Sequence, residues 1–427
     1  MTIDELLYLF NNKKELTLKD NFIGKIIKEL AYINCNINYE FIDEINREFS
    51  HQQYYKNTEP KISACILTLN ESRTIDRCIN SIKEDVDEII VVDSGSTDNT
   101  LKIINERFTN AIVIKEQWND DFSLLRNKAV EYTTNDWIFF IDADEYIDDQ
   151  SKGKIKKIVN FLQPLDCQPY YISPYIKDHN GDQYTNTKRI FNKKFKLYYR
   201  GRVHEELFHD NYEFITDIGI NVIMHHDGYK KEVMKNKDKI LRNLQLIELM
   251  LKEEPLNIKW KFYFAKNLLN QSSESSKIKA EKILTTIIDS SRVEDPYFLK
   301  SFILLCQVYI SKSDLSKLKE SIHYIKSNKV PVPQFDLAYL EMVFTLMAFQ
   351  SKLSYMSTAI EPMIAEINNS YISSNNNHIK NVISIIGFFT GDFDKYFKYL
   401  PDTDNLYEFN SRILLDKLND SLRKNHK

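Results

Sequence analysis

This chain of 427 residues has few glycines, few cysteines and no large excess of either charge. It contains 9 glycines and 5 cysteines, and its 57 basic and 61 acidic residues leave a net charge of -4. The shortage of glycine disfavours a turn-rich all-β fold. The near balance of charge disfavours nucleic acid as the main partner, because binding to a polyanion requires a basic surface.

The cysteines disfavour a structural zinc protein, and the apolar runs disfavour a membrane-spanning protein. The cysteines are odd in number and show no CxxC spacing: Cys35, Cys65, Cys78, Cys167 and Cys306. We therefore expect reduced thiols in a cytoplasmic protein without structural zinc. The first residues lack the pattern of a signal peptide, and no apolar run approaches the roughly 18 residues that a membrane span needs. We expect no membrane span.

Three regions of the chain differ in their hydrophobic pattern. Residues 1–60 place apolar residues at helical spacing, as in FIGKIIKELAYI, and end in a polar linker-like stretch. Residues 61–230 alternate short apolar runs with helical patterns, and residues 231–427 are helical in pattern throughout. This order predicts an N-terminal helical segment, an α/β domain and a C-terminal all-α domain.

The α/β region contains four short apolar runs, each separated from the next by a helical pattern: ISACILTL, EIIVVD, AIVIKE and WIFFID. Such runs are typical of parallel strands that are buried on both faces. Their alternation with helices predicts right-handed crossovers and a Rossmann-like, mostly parallel sheet. YYISPYI, QYTNTKRIF and KFKLYYR predict further strands, antiparallel ones, that close one edge of this sheet.

The helical patterns of residues 231–427 recur in pairs. Trp260, Tyr263 and Ala265 match the start of a tetratricopeptide unit, and the helix pairs recur at about its period. This pattern predicts stacked helix pairs, which form concave surfaces for extended peptides or partner proteins. An ordinary helical bundle is the alternative.

Polar residues stand at the ends of three predicted strands. Asn70 and Glu71 follow the first strand, Asp93 ends the second, and Asp142 and Asp144 come at the end of the fourth. In an open parallel sheet, ligands bind beyond the carboxyl ends of the strands. The chain lacks the GxGxxG and Walker A motifs, which excludes the usual dinucleotide sites and the P-loop NTPases.

The types of these residues indicate their ligand. A carboxylate that ends the second strand suits the donors of a nucleoside, which are ribose hydroxyls and the uracil N–H. Paired aspartates suit Mg²⁺ or Mn²⁺, which share oxygen ligands between carboxylates and substrate phosphates. The pattern therefore predicts a metal-bound nucleoside diphosphate at this edge of the sheet.

Four blocks, in order, resemble the family 2 glycosyltransferases with the GT-A fold: ISACILTLNES, EIIVVDSGSTDNT, DFSLLRN and IFFIDADEY. The resemblance implies a UDP-sugar donor and a DxD motif at Asp142 and Asp144, with Asp144 the more direct metal ligand. It also implies that Leu69, Glu71 and Asp93 line the uridine pocket. The complete set expected to bind the sugar nucleotide is Thr68, Leu69, Asn70, Glu71, Asp93, Ser94, Asp121, Arg126, Asp142, Ala143, Arg189 and His204.

Two later blocks, GRVHEELF and IMHHDGY, also match the family pattern. They imply that His226 is the third metal ligand, in preference to His204 and His225, with a purely structural histidine as the alternative. Imidazole beside carboxylates favours Mn²⁺ slightly over Mg²⁺. We expect Glu205 to be the catalytic base, with Glu145 as the second candidate. A surface glutamate without a role is the alternative for Glu205.

The segment KRIFNKKFKLYYRGR holds seven basic residues and no acidic one. Arg189 is our candidate for neutralising the departing diphosphate. We interpret the lysines at 193, 194 and 196 as the solvated edge of a hairpin. We expect Arg126 to hold the loop of Asp142 and Asp144 by a charge-assisted pair.

The order of the parts, over nearly the whole chain, resembles the S-glycosyltransferases that modify bacteriocin precursor peptides, the sublancin type. The blocks NDDFSLLRNK, GRVHEE and HDGY carry this resemblance most strongly. It implies an inverting transfer of glucose from UDP-glucose to a cysteine thiol, or to serine in some relatives, and it implies a homodimer. One alternative is a family 2 enzyme that extends a lipopolysaccharide or cell-wall glycan. The other is a non-catalytic repeat scaffold.

Overall fold

The computed structural model describes residues 29–34, 59–163, 168–178, 181–185, 187–212, 215–226, 237–271, 273–293, 295–365 and 376–400. The chain divides into two compact units, Met1–Pro255 and Leu256–Lys427. Most of the segment for which the sequence predicts N-terminal helices lies outside the described residues.

The first unit is built on one large sheet with helices between its strands. Its strands are β1 Leu30–Asn34, β2 Ile62–Thr68, β3 Glu88–Asp93, β4 Ile112–Lys115, β5 Trp137–Phe140, β6 Glu145–Ile147, β7 Tyr170–Asp178, β8 Gln183–Tyr184, β9 Ile190–Asn192, β10 Tyr198–Arg200, β11 Glu206–Phe208 and β12 Thr216–His226. Its helices are α1 Ile75–Ile82, α2 Thr100–Arg107, α3 Phe122–Glu131, α4 Lys154–Leu162 and α5 Lys237–Glu253.

The described strands of the main sheet lie in the order β1-β12-β7-β9-β5-β2-β3-β4, with β6 paired to β12 and β8 paired to β7. The half formed by β5, β2, β3 and β4 is parallel, as the alternating pattern of strands and helices predicts. β9 is antiparallel to both β5 and β7, whereas β7 and β12 are parallel. The sheet is therefore mixed and mostly parallel, and β10 and β11 form a separate hairpin.

Burial explains why the apolar runs form the central strands. All four residues of β5 are buried, as are six of the seven residues of β2. α1 covers one face of the sheet with an apolar stripe at helical spacing, formed by Ile75, Cys78, Ile79 and Ile82, all at most 1% exposed. These strands fix the position of the polar residues that follow them.

The strand β1 corrects one prediction from the sequence. Leu30–Asn34 begins inside FIGKIIKELAYI, which has helical spacing, yet it forms an antiparallel edge strand against β12. Leu30 is buried in the core cluster of the sheet. Tertiary pairing outweighs local spacing here, because pairing with β12 provides the backbone groups of this segment with hydrogen-bond partners.

The second unit is helical throughout its described residues. Its helices are α6 Ile258–Leu269, α7 Glu274–Ser290, α8 Pro296–Ser311, α9 Leu315–Ser327, α10 Gln334–Ile360, α11 Asn377–Thr390 and α12 Phe393–Lys398. Helices that follow one another along the chain pack together. Trp260 and Ala265, which suggested a tetratricopeptide unit, are both buried. No helix in the described part of either unit is long and apolar enough to cross a membrane.

Candidate functional site

Two loops meet beyond the carboxyl ends of β2 and β3, where Thr68 is the register partner of Asp93. The Ser94 N–H donates to the Thr68 carbonyl at 3.0 Å. Asn70, which has a left-handed backbone with φ 57°, accepts from the Thr97 N–H through Oδ1 at 2.8 Å. The two loops are therefore tied to each other by hydrogen bonds.

Two predicted nucleotide-binding carboxylates also shape these loops. Asp93 is 2% exposed, and its carboxylate accepts the N–H groups of Gly95 and Ser96 at 3.1 Å each through Oδ2. Glu71 accepts from the Thr74 hydroxyl at 2.9 Å. A carboxylate has about four acceptor positions, so it can accept from several donors at once, including those of a nucleoside.

The exposure of Leu69 and the hydrogen bonding of Thr68, both at the end of β2, are consistent with a bound ligand. Leu69 is 46% exposed, although a large apolar side chain is usually buried. Thr68 is buried, and its hydroxyl has no hydrogen-bond partner in the described part of the chain. A buried hydroxyl without a partner costs free energy, and a bound ligand would offset that cost.

Asp142, the first aspartate of the DxD motif, is held by two arginines. Arg126 Nη2 lies 3.1 Å from Oδ1 and Arg189 Nη2 lies 2.9 Å from Oδ2. The predicted pairing of Arg126 with this loop is thus present. Burial favours the neutral acid, but Arg189 and Arg126 outweigh it and hold the pKa of Asp142 well below its usual range. Asp142 is therefore ionised and fixed in place.

Glu145 is the third carboxylate of this network. It is 2% exposed, accepts from Arg189 Nη2 at 2.6 Å, and accepts the backbone N–H of Asp142 at 2.9 Å. Burial raises the pKa of Glu145 to about 7, against the opposing effect of Arg189. Arg189 is itself buried, and its Nε has no hydrogen-bond partner among the described residues. Arg189 thus contacts two carboxylates, and its Nε–H can donate to a bound ligand.

The short strand β6 brings the DxD motif against the end of β12. His226 is the register partner of Glu145. Its Nε2 lies 3.3 Å from Asp144 Oδ2, and both side chains are less than 20% exposed. Burial disfavours the charged imidazole, but the hydrogen bond to Asp144 and the neighbouring carboxylates outweigh it and raise the pKa of His226. Asp144 and His226 thus lie in one site.

The neighbouring His225 belongs to a different surface. Its Nε2 lies 3.0 Å from Asp148 Oδ2, and its ring stacks on Tyr146 at a centroid distance of 4.9 Å. Side chains alternate between the two faces of a strand, so His225 and His226 point in opposite directions. His204 lies in the loop before β11 with a left-handed backbone of φ 51°. His226 therefore contacts the DxD motif through Asp144, whereas His225 contacts Asp148.

Glu205, the predicted base, is connected to the DxD motif by Arg126. Arg126 Nε donates to Glu205 Oε1 at 2.6 Å, while its Nη2 contacts Asp142. Asp121 caps α3 by accepting the N–H of Leu124 at 3.1 Å, which sets the position from which Arg126 reaches inward. The structure therefore brings together the blocks DFSLLRN, IFFIDADEY and GRVHEE.

Three residues that we did not predict as site residues position these loops. Asp98 accepts the N–H of Ser72 at 3.1 Å, and Thr100 Oγ1 accepts the N–H of Glu71 at 2.8 Å. Asn127 exchanges two hydrogen bonds with the backbone of Tyr199 in β10, at 2.7 and 2.8 Å. All three stand inside the sequence blocks that carry the family resemblance. Their position in those blocks is the sequence signal that could have identified them as site residues.

The donor set at this site suits a divalent cation that is completed by a substrate. Asp144 and His226 offer an oxygen and a nitrogen on the same side, whereas both oxygens of Asp142 already contact arginines. Within the described ranges, no group of three or more His, Cys, Asp or Glu side chains is arranged to hold a metal ion by itself. Mg²⁺ and similar ions are commonly bound by one or two protein side chains together with substrate phosphates.

Comparison with known proteins places this site in a family. The family model "Glycosyl transferase family 2" matches residues 63–231. The chain is 33% identical over 376 residues to the SPbeta prophage-derived glycosyltransferase SunS of Bacillus subtilis, which covers 86% of this chain and 87% of that protein. It is 27% identical over 203 residues to a TPR repeat-containing protein of Synechococcus elongatus, which covers 46% of this chain and 49% of that protein.

A solved structure of S. aureus TarS residues 1–349 with UDP-GlcNAc aligns over 67% of this chain and 90% of that one, with 16% identity and a TM-score of 0.33. The family match and the long similarity to SunS agree with the sheet and with its cluster of carboxylates. The chain belongs to glycosyl transferase family 2. Its first unit carries the GT-A fold that the sequence predicts.

Proposed function

We propose that this glycosyltransferase transfers a hexose from a UDP-sugar, glucose from UDP-glucose, to a cysteine thiol of a bacteriocin precursor peptide. The observation that carries the proposal is the similarity to SunS over 86% of the chain. A match of 376 residues is longer than the first unit, so it extends into the helical unit. The shared order of parts supports the sublancin-type resemblance found in the sequence.

The tied loops after β2 and β3 are the proposed uridine site. Asp93 and Glu71 supply acceptors there, and the exposed Leu69 supplies an apolar surface for the base. Two buried donors, Thr68 Oγ1 and Arg189 Nε, have no partner among the residues that the structure describes, which supports a ligand that accepts hydrogen bonds at this edge of the sheet. The oxygens of a nucleoside diphosphate have that property.

We assign the metal site to Asp144 and His226, with Mn²⁺ or Mg²⁺ as the ion. Such an ion supplies Lewis-acid stabilisation of the charge that develops on the leaving UDP. Asp142, the first DxD aspartate and also implied as a ligand by the resemblance, is assigned instead to fixing the loop, because Arg126 and Arg189 engage both of its oxygens. Arg189 also adds positive charge beside the proposed diphosphate position.

Glu205 is the proposed base for the acceptor. One of its oxygens is held by Arg126, which leaves the second oxygen to accept a proton. A cysteine thiol has a pKa of about 8.5, so a useful fraction is already thiolate near neutral pH. A serine hydroxyl is far less acidic and depends more on this base. Direct attack of the thiolate on C1 forms the C–S bond, breaks the C–O bond to UDP and inverts the anomeric centre.

The remaining features of the proposal concern partners and place. We propose a cytoplasmic homodimer that binds the precursor peptide and does not bind nucleic acid. The helical unit supports the peptide as acceptor, because stacked helix pairs present grooves for extended chains. One such groove, of about 440 Å³, is lined by Phe262, Tyr263, Leu299 and Ile303 among others.

An intact-mass assay tests the proposed acceptor. The protein is incubated with Mn²⁺, UDP-glucose and a precursor peptide that contains one free cysteine, beside matched peptides with serine or alanine at that position. We expect one hexose on the cysteine peptide, less on the serine peptide and none on the alanine peptide. Equal addition to the alanine peptide, or UDP release without any peptide product, would contradict a thiol acceptor.

A further inference from the structure

The loop that carries the proposed base is shaped by contacts outside its own hairpin. Residues 201–205 connect β10 to β11, and the pairing of these two strands ends at Arg200 and Glu206. We call residues 201–205 the base loop. Gly201 and His204 have positive φ angles of 107° and 51°, so the loop continues neither strand. Its conformation therefore depends on the segments that it contacts.

The backbone of the base loop is attached to two helices at Arg202. The Arg202 N–H donates to Met250 Sδ of α5 at 3.4 Å, and the Arg202 carbonyl accepts the N–H of Phe122 at 2.9 Å. Met250 is buried, and Phe122 is the first residue of α3. The first N–H groups of a helix have no partner within that helix, so the Arg202 carbonyl satisfies one of them. The backbone at Arg202 thus connects the base loop to both α3 and α5.

The side chain of Arg202 strengthens the same attachment. Its Nε and Nη2 donate to Glu253 Oε1 at 3.0 and 2.6 Å, and its Nη1 donates to the Asp120 carbonyl at 3.2 Å. Glu253 is the last residue of α5, and Asp120 lies in the loop before α3. The Arg202 side chain is 25% exposed. Because the guanidinium is partly shielded from water, this charge-assisted pair is stronger than one on the open surface.

The other end of the base loop is held by the same helix α3. Arg126, four residues after Phe122, donates to Glu205 Oε1 at 2.6 Å. Residues four apart lie on one face of a helix. One face of α3 therefore contacts the base loop twice, at Arg202 through a backbone N–H and at Glu205 through a side chain. Val203, between these two contacts, is buried. The position of Glu205 thus depends on both ends of the loop.

We propose that Arg202 is a positioning residue for the transfer reaction. It acts through Glu205, because its contacts with α5 and with the loop before α3 hold the base loop in the conformation that presents the second oxygen of Glu205 to the acceptor. A displacement of about 1 Å at a catalytic group can cost about 100-fold in rate. The inference rests on the proposed function, since it takes Glu205 as the base.

The test compares Arg202→Met with Arg200→Met in the full-length protein. Arg200 is the matched control, because it pairs with Glu254 at the end of α5 and lies outside the base loop. Arg202→Met should lower kcat about 10-fold with the cysteine peptide and about 100-fold with the serine peptide, which depends more on the base. The KM for UDP-glucose should not change. Arg200→Met should leave both rates close to those of the wild type.

A double-mutant cycle shows whether Arg202 acts through Glu205. In the background of Glu205→Gln, Arg202→Met should cause little further loss, because the base that it positions is already absent. Arg202→Lys keeps a charge opposite Glu253 and should recover part of the loss, whereas Glu253→Ala removes the same pair from α5 and should reproduce it. Losses that multiply in the double variant, or equal losses for the two peptides, would overturn the proposal.

Hydrogen exchange tests the attachment of the base loop without any acceptor. Mass spectrometry should show that backbone amides of the base loop exchange at least about 10-fold faster in Arg202→Met than in the wild type, and unchanged in Arg200→Met. Equal exchange of the loop in the two variants would overturn the proposal. If the wild type transfers a hexose to neither peptide, the proposed function is wrong, and the exchange rates still decide whether Arg202 holds the loop.

Discussion

Replacing Arg126 with methionine should destabilise the first unit and disconnect three parts of the site. The Arg126 side chain is 10% exposed and bridges Glu205, 13% exposed, to Asp142, 33% exposed. Methionine preserves much of the volume and removes the charge. Breaking a buried pair typically costs about 3–5 kcal/mol, because a carboxylate remains uncompensated. Since Asp142 keeps Arg189 and is partly exposed, we expect the lower end, about 3 kcal/mol.

At about 2–4 °C per kcal/mol for a domain of this size, the melting temperature should fall by about 6–12 °C. The matched control is Arg107→Met, which breaks the pair of Arg107 with Asp76 at 2.7 Å on the surface, where Arg107 is 61% exposed. An exposed pair contributes less than about 1 kcal/mol, so that variant should melt within about 4 °C of the wild type.

Differential scanning calorimetry of the full chain measures both variants, and UDP release follows activity. Arg126→Met should also lose at least about 100-fold in kcat/KM, because Asp142 and Glu205 lose the group that holds them. The reasoning fails if Arg126→Met and Arg107→Met have the same melting temperature. It also fails if the wild type loses no more stability than Arg126→Met as pH falls below about 4. The depressed pKa of Asp142 gives the wild type stability that is present above the unfolded value of about 3.9 and lost below it.

Three further predictions follow from other contacts. Glu205→Gln should lower kcat/KM more for a serine peptide than for a cysteine peptide, and equal losses would remove Glu205 as the base. Burial raises the pKa of Glu145 to about 7, so the wild type should lose up to about 3 kcal/mol of unfolding free energy as pH rises from about 4.5 to 7. Urea unfolding of Glu145→Gln should not show this loss. Unfolding free energies of the two proteins that change in parallel with pH would contradict the prediction. Gly387→Ala should lower the stability of the helical unit by about 2 kcal/mol, because the new Cβ would lie 2.6 Å from Tyr396 N and 2.8 Å from Asp392 O; a melting curve like that of the exposed Ser354→Ala would contradict the close approach.

The parallel half of the sheet could be predicted because its signal is local. EIIVVD forms β3 with the predicted bounds, and ISACILTL forms β2 except for its last residue. Burial on both faces leaves a continuous apolar run in the sequence. The edge strand β1 could not be predicted this way. Its pairing with β12, almost 190 residues later, overrides the helical spacing of the segment that contains it.

The candidate site was predictable in its residue types and in one contact, the pairing of Arg126 with the Asp142–Asp144 loop. The order of Asp93, Asp142 and Asp144 at the strand ends indicates a nucleotide site because the carboxyl ends of parallel strands meet at one edge. The other contacts could not be predicted. That Arg189 takes the second oxygen of Asp142 depends on a residue 47 positions away, and tertiary packing alone sets that distance and buries Glu145.

The central claim is that Asp144 and His226 form, with a sugar nucleotide, a metal-dependent site at the end of the parallel strands. The most direct measurement is calorimetric titration of UDP into the wild type and Asp144→Ala, each with and without Mn²⁺, beside Asp148→Ala as a control carboxylate outside the site. The account predicts that Mn²⁺ tightens UDP binding at least about 10-fold in the wild type and in Asp148→Ala and has no effect in Asp144→Ala. Equal Mn²⁺ dependence in Asp144→Ala, with an unchanged melting temperature, would contradict it.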